Sequence, residues 1–195
     1  MHRIEEYLNK FTDEKILKRS SSKVQKTKGS MAELLWGSFS RQSTNIIFGH
    51  VIEASFNALI PSKYYLGISH IRPEAETKRI QLDILFMKDN VVYYFESKNN
   101  INLDTEKMPA CIEKISKVKT ALASRYPEYV VVAKILTSRF PTTQAIPREF
   151  FKNGLTNMNV IGYNDFFEII GEETINEEEW YKIIRRQGEK IETNN

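Results

Sequence analysis

Asp83, Glu96 and Lys98 are the residues whose types and spacing could do chemistry in this chain. They lie on either side of Asp89-Asn90, a two-residue turn signal between runs rich in β-branched and aromatic residues. If that turn forms, Lys88 pairs with Val91 and, counting outward, Asp83 faces Glu96. Facing residues hold their Cβ atoms ~4.5–5.5 Å apart. Alternation then puts Gln81, Asp83, Glu96 and Lys98 on one face, together with Leu85, Met87, Val92 and Tyr94. A slip of one residue would send the two acids to opposite faces. Facing carboxylates in so apolar a hairpin repel, and one must take up a proton unless a cation lies between them. Magnesium prefers carboxylate oxygens, keeps several waters and shares phosphate oxygens. A lysine beside it can orient a water or meet the charge that builds on phosphorus. These are the parts of metal-assisted phosphodiester hydrolysis. The bland alternative is a surface hairpin with ordinary acids, one of them salt-bridged to Lys98.

The elements that must position these residues follow from periodicity. Residues 1–19 read as a helix, with Ile4, Tyr7, Leu8 and Phe11 on its apolar side. Residues 20–30 are a polar, basic connector. Helices are expected at about 30–38 and 43–60, the second apolar over much of its circumference except a polar strip of Gly49, His50, Glu53 and Asn57. Strands are expected at 63–69, 79–88 and 91–98. A helix follows at about 104–125, capped by Asp104 or starting nearer 107 so that Pro109 falls in the first turn. The apolar run 129–137 reads as a central strand buried on both faces. A short strand at 158–162 and acidic helices at about 164–170 and 176–188 complete the chain. The expected fold is α/β, a mixed central sheet flanked by helices. It is read as one domain, 1–195, with a core at about 43–137, a basic N-terminal arm (1–30) and C-terminal acidic helices (164–188).

Asp83, twelve intervening residues and then Glu96-Ser97-Lys98 resembles the signature of the PD-(D/E)XK nuclease superfamily. The element order from about 43 to 137 is similar to the restriction-endonuclease-like α-β-β-β-α-β core. The resemblance covers roughly half the chain, and Leu82 stands where the motif name has proline. It implies that Asp83, Glu96 and the backbone carbonyl of Ser97 ligate Mg2+, for which Mn2+ can substitute, and that Lys98 orients the attacking water. Glu53 matches an extra acid that many members carry on the preceding helix, which serves a second metal or its water. Type II restriction endonucleases look closest, since the glutamine-tyrosine pattern of RecB-like exonucleases is missing. The resemblance thus implies a Mg2+-dependent, site-specific DNA endonuclease acting as a homodimer. The alternatives are a resolvase-like repair or recombination nuclease, a non-catalytic DNA-binding module, and a structural domain whose acids are incidental.

Charge and composition are compatible with that reading. The 195 residues carry a net charge of +3, 41% hydrophobic and 27% charged residues, as a soluble globular chain does. Residues 165–195 hold nine acids against four bases, so residues 1–164 carry +8. A basic body suits a polyanion such as double-stranded DNA. Lys23, Lys26, Lys28, Arg41, Arg72, Arg79, Gln81, Arg139 and Arg148 are the candidate contacts. One cysteine, Cys111, excludes an intrachain disulfide and a Cys-cluster zinc site. No apolar run reaches membrane-span length and no start segment reads as a signal peptide, so no membrane partner and a cytoplasmic location are expected.

Overall fold

The computed structural model describes residues 2–23, 41–74, 76–101 and 106–193. Its helices are α1 (Arg3–Lys23), α2 (Arg41–Leu59), α3 (Lys107–Arg125), α4 (Tyr163–Ile170) and α5 (Glu177–Thr193). Its strands are β1 (His70–Ile71), β2 (Ile80–Gln81), β3 (Ile84–Lys88), β4 (Val91–Lys98), β5 (Val130–Thr137) and β6 (Val160–Ile161). Two compact units result, Met1–Leu59 with Asn176–Asn195, and Ile60–Ile175. No described helix is long and apolar enough to cross a membrane.

The first unit is helical. Ile4 and Leu8 of α1, Val51, Ile52 and Phe56 of α2, and Trp180 and Ile183 of α5 are buried at one-turn spacings. Phe56 stacks on Trp180 with ring centroids 6.4 Å apart. Polar ties reinforce the packing: Arg186 to Glu5 at 2.8 Å and Gln187 to Asn9 at 3.0 Å. The first helix runs on to Lys23, beyond the expected end at residue 19. The rest of the expected connector and the expected helix at 30–38 lie outside the described residues.

The second unit is built on a four-stranded mixed sheet in the order β3-β4-β5-β6. The β3/β4 pair is antiparallel; β4/β5 and β5/β6 are parallel. Helix α3 covers one face, with Met108, Cys111, Ile115, Val118 and Leu122 packed among Leu85, Val92, Tyr94 and Ile135. On the other face the Phe166 ring of α4 meets Phe86 and Phe95 edge-on, at 6.3 and 5.9 Å. The sheet is therefore sandwiched between helices, as its apolar strands require.

The hairpin turn is the predicted one. Asp89 and Asn90 both have positive φ (49° and 61°), which a two-residue hairpin turn of this hand needs. Lys88 pairs with Val91, and the register continues to Ile84 opposite Phe95. Lys88 also donates to the Ile169 carbonyl at 2.7 Å, placing a cation on the last turn of α4.

Three expected elements differ. The 63–69 segment is not a strand: Ser62–Tyr64 form a 3-10 turn, only Tyr65 bridges to Phe86, and Gly67 takes φ 68°. A left-handed residue cannot continue a strand. The expected strand 79–88 is broken, because Ile80–Gln81 pairs with His70–Ile71 in a separate two-stranded ribbon. The 158–162 strand shrinks to Val160–Ile161. Helix α3 starts at Lys107 with Pro109 in its first turn, and Asp104, the expected cap, lies outside the described residues.

Candidate functional site

The break before β3 builds the site. The Leu82 N–H donates to the Ser69 carbonyl at 2.9 Å, which commits that residue to the β1/β2 ribbon. The β3/β4 ladder therefore ends at Ile84, and the Ser97 N–H of β4 loses a backbone partner from β3. Asp83 fills the gap: its Oδ2 accepts from the Ser97 N–H at 3.0 Å. The carboxylate is held beside the end of β4 by a main-chain bond, and the same bond satisfies a half-buried N–H.

Glu96 points from β4 toward the α3 side of the sheet and is only 4% exposed. Three donors converge on it. Lys98 Nζ reaches Oε1 at 2.7 Å, Tyr94 Oη reaches Oε2 at 2.6 Å, and Lys114 Nζ of α3 reaches Oε2 at 2.5 Å. Lys114 Nζ also lies 3.9 Å from Asp83 Oδ1. Two acids and two lysines thus share one end of the hairpin. Asp83, Glu96 and Lys98, the predicted trio, are brought together, and Ser97 lies between them as the Asp83 donor.

Burial opposes charge on each of these groups. At Glu96 it is outweighed by the charge of Lys98 and by the three hydrogen bonds, so the carboxyl is held below its ordinary range. Asp83 is pushed up, by burial and then by the neighbouring Glu96 charge, against weaker opposition from Lys114, the Ser97 N–H and Lys98. Lys98 is pushed up because Glu96 and Asp83 more than offset its desolvation. The Tyr94 hydroxyl is pushed up by burial and by Glu96, which keeps it a donor. Burial, with Glu96 nearby, raises the Cys111 thiol to about 11. One negative charge is well housed here and a second is not.

This donor chemistry suits a hard divalent cation. Among the described residues no group of three or more His, Cys, Asp or Glu side chains is placed to hold a metal ion. Asp83, Glu96 and the Ser97 carbonyl would supply part of a coordination shell, leaving the remainder to water and phosphate oxygens, the usual habit of magnesium. The Lys114 ammonium already offsets the charge of both carboxylates from its place beside Glu96 Oε2 and 3.9 Å from Asp83 Oδ1. Glu53 belongs to the helical unit, on α2, where it is half-buried and its carbonyl accepts from Asn57 Nδ2 at 3.1 Å.

Lys114 and Tyr94 were missed by sequence reasoning. Lys114 sits three residues after Cys111 and four before Val118, both buried, so it lies inside the arc of the apolar stripe. A lysine in that arc was the available signal. Gln81 departs from expectation: it is exposed on β2, opposite His70 in the ribbon, and outside the hairpin ladder. Arg72 and Arg79 are exposed and flank that ribbon. Arg139 is exposed and lies over the Phe140 and Phe150 rings, at 5.3 and 5.1 Å. Arg148 is exposed at the start of a 3-10 turn. The side chains of Lys23 and Arg41, and all of Lys26 and Lys28, lie outside the described residues. Comparison with protein-family models, with curated proteins and with solved structures finds no match to this chain.

Proposed function

We propose that this chain is a magnesium-dependent endonuclease that hydrolyses DNA phosphodiester bonds, of the type II site-specific restriction class. The observation that carries the reading is the pairing of half-buried Asp83 with buried Glu96 at one hairpin end, with Lys98 Nζ 2.7 Å from Glu96. Support also comes from the element order along the chain: α2, the β1/β2 ribbon, the antiparallel β3/β4 hairpin, α3 and the parallel central strand β5. Asp83, Glu96 and the Ser97 carbonyl would hold magnesium, which when bound neutralises charge on the carboxylates and the scissile phosphate. Lys98 orients the attacking water and faces the charge that develops on the phosphoryl oxygens. Tyr94 holds Glu96 in place through its hydroxyl. The α3 helix closes the apolar side of the site and limits bulk water there. Cutting both strands calls for a homodimer with two sites related by two-fold symmetry.

The test is cleavage of unmethylated plasmid and phage DNA by the wild type with magnesium, the wild type with EDTA, and Lys98→Ala with magnesium. Discrete bands in the first reaction alone are expected. A metal-dependent smear, or cutting of branched substrates alone, would move the function to repair or recombination. Intact DNA throughout, with no thermal shift on adding magnesium or manganese, would refute the reading.

A further inference from the structure

A second feature of the sheet unit is a concavity of about 870 Å³ between the β1/β2 ribbon and α3. Its cationic wall is Arg72, Arg79, Lys117 and Arg125, against one acid, Glu74. Lys117 is already paired, with Glu76 at 2.6 Å and Glu113 at 2.9 Å. The three arginines are exposed, and among the described residues none of them has an ion-pair partner. Arg125 lies 5.8 Å from the Tyr126 ring centroid. Ser116, Thr120 and Ser124 recur every fourth residue along the α3 wall. The Ser116 and Ser124 hydroxyls lie about 12 Å apart along the helix, and that of Thr120, between them, donates to the Ser116 carbonyl at 3.2 Å. Guanidinium groups with serine and threonine hydroxyls are the donors that hold sugar-phosphate backbones.

The concavity shares its helix with the carboxylate site. Lys114, which reaches Glu96, precedes Lys117 by three residues, and Arg125 lies about 16 Å further along the axis than Lys114. A strand whose phosphate meets Asp83 and Glu96 would have its neighbouring phosphates within reach of this wall. We infer that the groove between the β1/β2 ribbon and α3 holds the DNA backbone flanking the cleaved phosphate on one side. The identity of the occupant rests on the nuclease reading; the groove itself does not.

The experiment is fluorescence anisotropy of a labelled mixed-sequence DNA duplex, in magnesium, with Lys98→Ala as the non-cutting parent. Two further proteins carry Arg72, Arg79 and Arg125 replaced together, by glutamine in one and by lysine in the other. The glutamine protein is expected to bind at least tenfold more weakly. Its slope of log affinity against log salt should fall by about 2–3, one unit for each phosphate that no longer meets a cation. The lysine protein should keep the parental slope, which separates charge from misfolding. Equal affinity and slope in the parent and the glutamine protein would overturn the groove while leaving cleavage untouched. Binding lost with the arginines, from a wild type that cuts nothing, would keep the groove and remove the nuclease reading. A parent that binds no duplex at any salt would also overturn the groove.

Discussion

Lys114→Met removes a cation from the site without removing either acid. In the wild type the Lys114 ammonium bonds Glu96 Oε2 and lies 3.9 Å from Asp83 Oδ1. Its side chain is 28% exposed and that of Glu96 5%, so the bond is largely shielded from water. Hydrogen bonds to charged groups contribute about 1.5–3 kcal/mol. Glu96 keeps Lys98 and Tyr94, and methionine keeps most of the apolar stem, so a loss of about 2 kcal/mol is expected in EDTA. For a chain of this size that is a fall in Tm of about 4–8 °C. Magnesium should reverse the fall, because a bound cation takes over from the missing ammonium. On the proposed reading magnesium would have to displace Lys114 in the wild type, so its stabilisation there is expected to be smaller. Thermal unfolding of both proteins across a magnesium titration reads both effects. A loss below about 0.5 kcal/mol, the range of ordinary surface substitutions, would show that Lys114 does not carry the site's charge balance. Equal magnesium shifts in the two proteins would refute the competition.

Three other outcomes follow from local geometry. Asn90→Gly should stabilise by about 0.5 kcal/mol, because glycine takes the left-handed conformation at less steric cost; denaturant midpoints at unchanged m-value check it. Gly162→Ala should destabilise by about 3 kcal/mol. Its Cβ would lie 2.4 Å from the Pro141 carbonyl carbon and oxygen, backbone atoms that cannot rotate away, and a wild-type Tm would contradict this. Cys111, raised from 9.0 to about 11, should react with a thiol reagent at pH 8 about a hundredfold more slowly than in the unfolded chain. The native state keeps that proton to higher pH than the unfolded state does. Its contribution to stability is therefore complete below pH 9.0 and is lost as pH rises toward 11. Equal labelling rates with and without denaturant would refute it.

Much of the site was legible because a two-residue turn has few solutions. Asp89-Asn90 set the register as far as Ile84 opposite Phe95; Asp83, expected to face Glu96, lies one residue beyond the ladder and meets the Ser97 N–H instead. The break at Leu82-Asp83 was not legible, because the run 79–88 is uniformly strand-like in composition. Its cause is competition from Ser69, a partner that only the folded chain brings near. The 63–69 segment failed for a local reason, since Gly67 adopts a conformation that β-propensity does not register. Lys114 was missed because the rotation of a helix against a sheet depends on how both surfaces interlock.

The sequence by itself determined the elements whose patterns are strong, the hairpin register, the apolar stripe of α3 and the run that became β5. Each depends on neighbours within one or two turns or across one tight turn, where steric preference and periodicity suffice. Only the tertiary structure decided the environment of the two acids. Docking α3 on the sheet carried Lys114 to Glu96 across eighteen residues, and the β1/β2 ribbon drew Leu82 away so that Asp83 met the Ser97 N–H. Charge state follows from burial and from which donors arrive, and these are properties of the packed interior.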